Sequence, residues 1–307
     1  MQRALEIDLF KYLLACMVIG LHCQFLAEFN ARLSYLLVNG VFRIAVPCFF
    51  VLSGYFYNSS HFTSTLRRIT LIYIIWMLIY LPFWAFDLPY DMRPAVPLWQ
   101  DILYGYYHLW FLIALLLGLG LYHIIYHLAP KLVIPCLILS ASAGLVLQYG
   151  HNYGILHIAI PYYCNALCFA YPFIALGALL RTHMIRFLPY TMIVIPFACA
   201  GLLLEASINY ESLFVQRDVR RPFDVLISLY LLCPALCAAI IHRAHRPTSG
   251  IIGRISLYVY LIHPLVIIGI WQVATLSATP LALLAITIST LLSIIMAYMM
   301  RFIRQKR

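Results

Sequence analysis

From the amino terminus, the chain is a succession of apolar runs, each close to the length of a membrane helix. Short stretches that gather charge, Pro and Gly separate them. About 20 apolar residues are what an α-helix needs to cross the hydrocarbon core of a bilayer. Ten such spans are placed, at about 8–27, 34–57, 69–87, 106–127, 132–149, 163–181, 188–206, 223–242, 254–272 and 279–301. The pattern predicts an all-α, polytopic integral membrane protein whose residues 1–307 form a single transmembrane domain. The least regular segment is Tyr149–Tyr163. It carries His151, His157 and Pro161, and reads as a re-entrant or interfacial piece. Two outer connections are longer than the rest, about Asp87–Gly105 and Glu205–Pro222.

Composition agrees with that pattern. Hydrophobic residues make up 64% of the chain and charged residues 10%, whereas a soluble domain carries about 25% charged residues. A chain of this kind has too little polar surface to keep two soluble domains in water. The nine cysteines lie almost entirely in apolar runs and form no CxxC, so they read as small apolar filler. Glu6, Asp8 and Lys11 surround the start of the first run, which is expected to be a retained helix and not a cleaved leader.

The formal net charge of +10 would suggest nucleic acid on a soluble protein. No basic run with interleaved aromatics occurs, and no nucleic-acid partner is expected. The charge instead sets orientation. With the amino terminus inside, thirteen Lys and Arg residues fall on inner segments and five on outer loops, while eight of the ten acids fall on or near the outer side. The positive-inside rule then places both termini in the cytoplasm, which requires an even number of spans.

Ionisable groups within the spans are costly, by about 2.5–3.5 kcal/mol on insertion scales, so each marks a cavity or a partner. Lys11 and His22 lie close to three turns apart on helix 1, about 16 Å along one face. Arg43 and Pro47 fall within helix 2, with Arg43 near the depth of His22 and Ser53 near that of Lys11. Helix 9 carries Tyr258, Tyr260 and His263, and His108 and Trp110 open helix 4. Plainer readings exist: Lys11 can snorkel to the interface, and a membrane His can simply bond a neighbouring helix. Arg67 and Arg68 can serve as topology signals. No resident metal is expected. His123 and His127 are four apart but lack an evident third ligand.

These residues resemble the acyltransferase-3 family of membrane acyltransferases. Helix 1 reads Asp8-Leu-Phe-Lys11 and, ten residues beyond, His22. Helix 2 reads Arg43-Ile-Ala-Val-Pro-Cys-Phe-Phe-Val-Leu-Ser53-Gly54-Tyr-Phe. His108-Leu-Trp110-Phe-Leu and Ile255-Ser256-Leu-Tyr258-Val-Tyr260-Leu-Ile-His263-Pro264 complete the match. Lys11 stands where the family most often has Arg, and it lacks the guanidinium fork. Arg67 and Arg68 are adjacent where the family often has an R-x-x-R pair.

The resemblance implies an enzyme of a bacterial cytoplasmic (inner) membrane. It would move an acyl group, usually acetyl, from cytoplasmic acyl-CoA to a hydroxyl of an envelope glycan or lipid-linked sugar. Acetyl-CoA is then a co-substrate, and no bound cofactor is expected. His22 and Arg43 would be catalytic. Lys11, Ser53, Arg67 and Arg68 would hold acyl-CoA. His108, Trp110, Tyr260 and His263 would shape the acceptor side. The rival reading is a transporter or exporter of a small polar solute, which wants polar groups at the same depth.

Overall fold

The computed structural model describes residues 4–85, 98–215 and 223–305. The described residues are helical and contain no strand; a single antiparallel bridge pairs Ala4 with Pro247. Thirteen α-helices are described: α1 Leu5–His22, α2 Ala31–Val38, α3 Ala45–Tyr55, α4 Phe62–Ile79, α5 Leu81–Ala85, α6 Leu98–Tyr104, α7 Trp110–Leu128, α8 Val133–Asn152, α9 Tyr171–Phe187, α10 Thr191–Val215, α11 Leu229–Arg243, α12 Ile251–Val273 and α13 Ala278–Gln305.

Among the described residues, seven helical stretches are long and apolar enough to cross a membrane. One of them, Ala166–Ser212, runs for 47 residues and contains both the sixth and the seventh expected spans. Two further spans coincide with helices outside that set. α1 carries Glu6, Asp8 and Lys11 within 18 residues, and α11 has only 15 residues.

Several boundaries differ from the sequence reading. The second span is not one continuous helix: α2 stops at Val38, Asn39 and Gly40 follow, and Val41–Ile44 form a 3-10 turn before α3. Pro47 therefore sits in the first turn of α3, where a backbone N–H has no intrahelical partner anyway, and does not kink a helix interior. α4 begins seven residues before the expected third span, which puts Arg67 and Arg68 on a helix. α10 continues to Val215 through much of the expected 205–222 loop. Residues 86–97 and 216–222 of the two long connections lie outside the described residues. So do Arg3, Arg93, Arg217, Arg220, Arg221, Lys306 and Arg307.

The chain divides into two compact units. The first comprises Met1–Ala45, Leu188–Pro222 and Leu231–Arg307. In it α12 packs against α13 and against α1. A run of small residues on α13, Ala282, Ala285, Ser289, Ser293 and Ala297, is fully buried and permits close approach. Asn30 caps α2 by accepting the Leu33 amide at 2.8 Å. Glu28 accepts the Thr279 amide at 2.9 Å, at the amino end of α13. Desolvation pushes the Glu28 carboxyl up, but hydrogen bonds from its own backbone and from Thr279 hold it below its ordinary value. Glu6 meets His245 at 3.6 Å and Arg246 at 3.9 Å, and the Leu5 amide donates to the Arg246 carbonyl at 2.8 Å. Arg32 pairs with Glu211 at 3.2 Å.

The second unit comprises Val46–Phe187 and Phe223–Tyr230. Its α3 and α9 nearly touch through their backbones. A side chain at Gly54 would overlap the Ile174 carbonyl, and one at Gly177 would overlap the Val51 carbonyl. The Ser-Gly-Tyr step on α3 is thus a crossing point that only glycine fits. α8 ends at Asn152, Gly154 turns the chain at φ 76°, and a 3-10 turn spans Ile160–Tyr162. Asn165 then accepts the Leu167 and Cys168 amides at 2.9 and 2.8 Å, starting the π-helix Ala166–Ala170 that leads into α9. The expected eighth span starts late, at Leu229, for a local reason. Gln148 of α8, completely buried, accepts the Asp224 and Val225 amides at 2.8 and 2.9 Å and donates to the Val225 carbonyl at 2.5 Å. One side-chain amide meets backbone needs that a helical turn would otherwise meet.

Candidate active site

α1 delivers His22 as its last helical residue, half-buried. Against it lies His263 of α12, wholly buried. The two imidazoles stack with centroids 5.2 Å apart and planes inclined by 24°. The sequence placed these residues on different helices; the structure puts one ring on the other.

The tautomer of His263 follows from its neighbour. An α-helical carbonyl accepts from the amide four residues on. For Tyr260 that residue is Pro264, which has no N–H. The Nδ1 of His263 takes the vacant place, 2.7 Å from the Tyr260 carbonyl oxygen. A carbonyl can only accept, so Nδ1 carries the proton, and Nε2 is the acceptor nitrogen of the neutral ring. Tyr260 is buried, its ring centroid 6.0 Å from that of His263.

Arg43 is the third member. It is presented by the 3-10 turn Val41–Ile44, within electrostatic reach of His22. Its guanidinium donates to Oδ1 of Asn39 at 2.9 Å. Two further contacts locate the turn. Gly20, one residue short of Leu21-His22 on α1, leaves room for the ring of Phe42. The Cys233 thiol of α11 donates to the Ile44 carbonyl at 3.8 Å. Asn39 was not singled out from the sequence, although Asn-Gly at 39–40 is a turn signal four residues before Arg43.

The remaining expected residues are placed as follows. Lys11, half-buried, is on α1, about 16 Å along the axis from His22. Ser53, Arg67, Arg68, His108 and Trp110 belong to the second unit. The Ser53 hydroxyl donates back to the Phe49 carbonyl at 2.7 Å, within its own helix. Arg67 and Arg68 are exposed on α4, where adjacent residues diverge by about 100° and do not share a face. His108 is buried in the 3-10 turn Tyr107–Leu109, edge-on to Tyr80 at 5.1 Å. Trp110 stacks on Phe169 at 5.8 Å and lines a cavity of about 300 Å³ with Tyr104, Ile113, Tyr162 and Asn165. His123 lies flat on Phe62 at 3.7 Å, with Nδ1 2.5 Å from the Tyr57 hydroxyl.

The first unit therefore gathers two imidazoles and a guanidinium, one imidazole held in a defined tautomer. Such a group can remove a proton from a hydroxyl, accept an acyl group, and stabilise a developing oxyanion.

Comparison with known proteins gives the class. The family model of the acyltransferase-3 proteins, described as an acyltransferase domain, matches residues 5–299, and the chain belongs to that family. The chain is also similar to a serine/alanine racemase of Enterococcus gallinarum, 28% identical over 295 residues, covering 86% of this chain and 41% of that protein. An amino-acid racemase of Enterococcus faecalis is 25% identical over 311 residues, covering 89% of this chain and 42% of that protein. The chain thus spans about two-fifths of the length of these curated relatives. No solved structure matches it.

Proposed function

We propose that this membrane acyltransferase moves an acyl group, acetyl in the simplest case, from cytoplasmic acyl-CoA to a hydroxyl of a cell-envelope carbohydrate. The observation that carries the reading is the His22–His263 stack with Arg43 in electrostatic reach. His22 takes the proton of the acceptor hydroxyl as its oxygen attacks the thioester carbonyl. Arg43 stabilises the tetrahedral oxyanion. The carbon–sulfur bond then breaks, and the CoA sulfur leaves with the proton that His22 returns. In the covalent variant the His22 imidazole attacks the thioester, the carbon–sulfur bond breaks and the CoA thiolate leaves, and the acceptor hydroxyl then attacks the acyl-imidazole, giving up its proton and freeing His22. Lys11, Ser53, Arg67 and Arg68 are the proposed acyl-CoA contacts. His108, Trp110 and Tyr260 are the proposed acceptor-side contacts.

The accompanying topology is ten crossings of a bacterial inner membrane with both termini cytoplasmic. Same-side pairings within the first unit support it. Glu6 meets the 243–250 segment, both assigned to the inner side. Arg32 meets Glu211 and Glu28 meets Thr279, all assigned to the outer side.

The names of the relatives favour a second reading. The chain accounts for about two-fifths of proteins named for acting on amino acids, so the same polar groups would line a route for a small zwitterion. One experiment separates the two. Vesicles holding the purified protein receive labelled acetyl-CoA with envelope glycan, and in parallel labelled serine. Label reaching glycan in wild type and lost in His22→Ala at equal protein level supports transfer. Serine accumulation without glycan labelling supports transport. Glycan labelling by His22→Ala at the wild-type rate removes the proposed chemistry.

A further inference from the structure

Every expected role placed His263 on the acceptor side, yet its geometry faces it toward another protein group. Its Nδ1–H is committed to the Tyr260 carbonyl, the one that Pro264 leaves without a backbone donor. That hydrogen bond fixes the rotation of the ring. The ring so fixed is the surface on which the His22 ring lies, at 5.2 Å and 24°. His22 is the final residue of α1, where helical hydrogen bonding ends and a side chain has least support from its own helix. A wholly buried ring thus backs the reactive imidazole.

We propose that His263 is a positioning residue that acts through His22: the His-Pro step locks one imidazole plane, and that plane sets the orientation of the reactive one. The inference rests on the acyltransferase reading for its catalytic consequence, but not for the stack itself. Ring and hydrogen bond make separable contributions. Phe at 263 keeps a flat face for His22 and gives up the bond to Tyr260. Asn at 263 keeps a donor near the Nδ1 position and gives up the face.

The test uses the full-length protein in vesicles and two readouts. The first is steady-state transfer from acetyl-CoA. His263→Ala lowers kcat about 30-fold with the KM for acetyl-CoA within about twofold, because orientation and not donor binding is lost. His263→Phe recovers most of kcat, and His263→Asn does not. The second readout needs no turnover: the rate at which diethyl pyrocarbonate modifies His22, followed by mass spectrometry of its peptide. His22 is half-buried. A ring released from its platform in His263→Ala can turn its nitrogen lone pair outward, which raises that rate severalfold, and His263→Phe restores the wild-type value.

The proposal is overturned if His22 is modified equally fast in wild type and His263→Ala, or if Asn restores kcat while Phe does not. The latter result would make the Tyr260 bond, a matter of helix integrity, the whole role of His263. If wild type itself transfers no acyl group, the acyltransferase reading fails, and the labelling readout still decides whether His263 holds His22.

Discussion

The ring of Phe42 occupies the space that a side chain at Gly20 would need: a methyl group there would lie 2.7 Å from Cε2 of Phe42. Gly20 precedes His22 by two residues on α1, and Phe42 precedes Arg43 on the 3-10 turn. The contact therefore ties the end of α1 that carries His22 to the turn that carries Arg43. The obstructing atoms belong to the far end of a flexible side chain, which shifts more cheaply than backbone, although the Phe42 ring also meets that of Phe25 at a centroid distance of 6.2 Å. Gly20→Ala is thus expected to spare folding and to displace Arg43. Acyl transfer should fall about tenfold, ~1.4 kcal/mol of transition-state stabilisation, with the protein level in the membrane unchanged. Gly120→Ala, which meets nothing within 4 Å, is the control and should leave both readouts at wild type.

Oδ1 of Asn39 accepts a charge-assisted bond of 2.9 Å from Arg43 in a largely buried place. Bonds to charged groups are worth about 1.5–3 kcal/mol. Asn39→Leu should lower transfer about tenfold or more, whereas Asn39→Asp, which keeps an acceptor, should retain most activity. Arg43→Lys should lose most of it, because an ammonium has neither the reach nor the planar fork of a guanidinium. Full activity of Asn39→Leu would show that Arg43 is held by other groups.

The sequence was legible where long-range pattern or chemistry dominates. Apolar run length located the seven stretches that, among the described residues, are long and apolar enough to cross a membrane, and the cost of burying charge singled out Lys11, His22 and Arg43. It was less legible where one side chain rewrites the backbone. The break before Arg43 depends on Asn39-Gly40, which an average over apolar residues passes through. The late start of α11 depends on Gln148, distant in sequence from the amides it satisfies. The pairing of His263 with His22 needs the approach of α1 and α12, which no local spacing encodes. Yet the tautomer of His263 could have been read from Tyr260, His263 and Pro264 alone, since the proline at 264 deprives the carbonyl four residues earlier.

Gln148 is the clearest stability prediction in the second unit. Its wholly buried amide satisfies two backbone amides and one carbonyl of residues 224–225. Replacing it with Leu keeps the volume roughly and leaves three backbone groups without that partner, each costing on the order of 1–3 kcal/mol if it stays buried. Gln148→Leu should lower the unfolding temperature in detergent by several degrees or more, and Gln148→Glu should lower it too, since a carboxylate sets an acceptor oxygen against the Val225 carbonyl. A Leu variant as stable as wild type would mean that the 223–228 segment finds other partners.

Asp8 and Gly253 supply a test by coupling instead of by loss. Asp8 is only 6% exposed although it carries a carboxylate, and a methyl group on Gly253 would come within 2.5 Å of its Oδ1. Gly253 lies in the first turn of α12, where alanine would ordinarily stabilise a helix by roughly 0.5–1 kcal/mol. Here the sign should reverse: Gly253→Ala pushes against a buried carboxylate and should lower the unfolding temperature. With Asp8→Ala already in place, the obstruction is gone and the same substitution should be neutral or stabilising. The two changes should therefore be non-additive by about 1 kcal/mol or more, the behaviour of side chains in direct contact. Additive effects would place Asp8 away from Gly253 on α12.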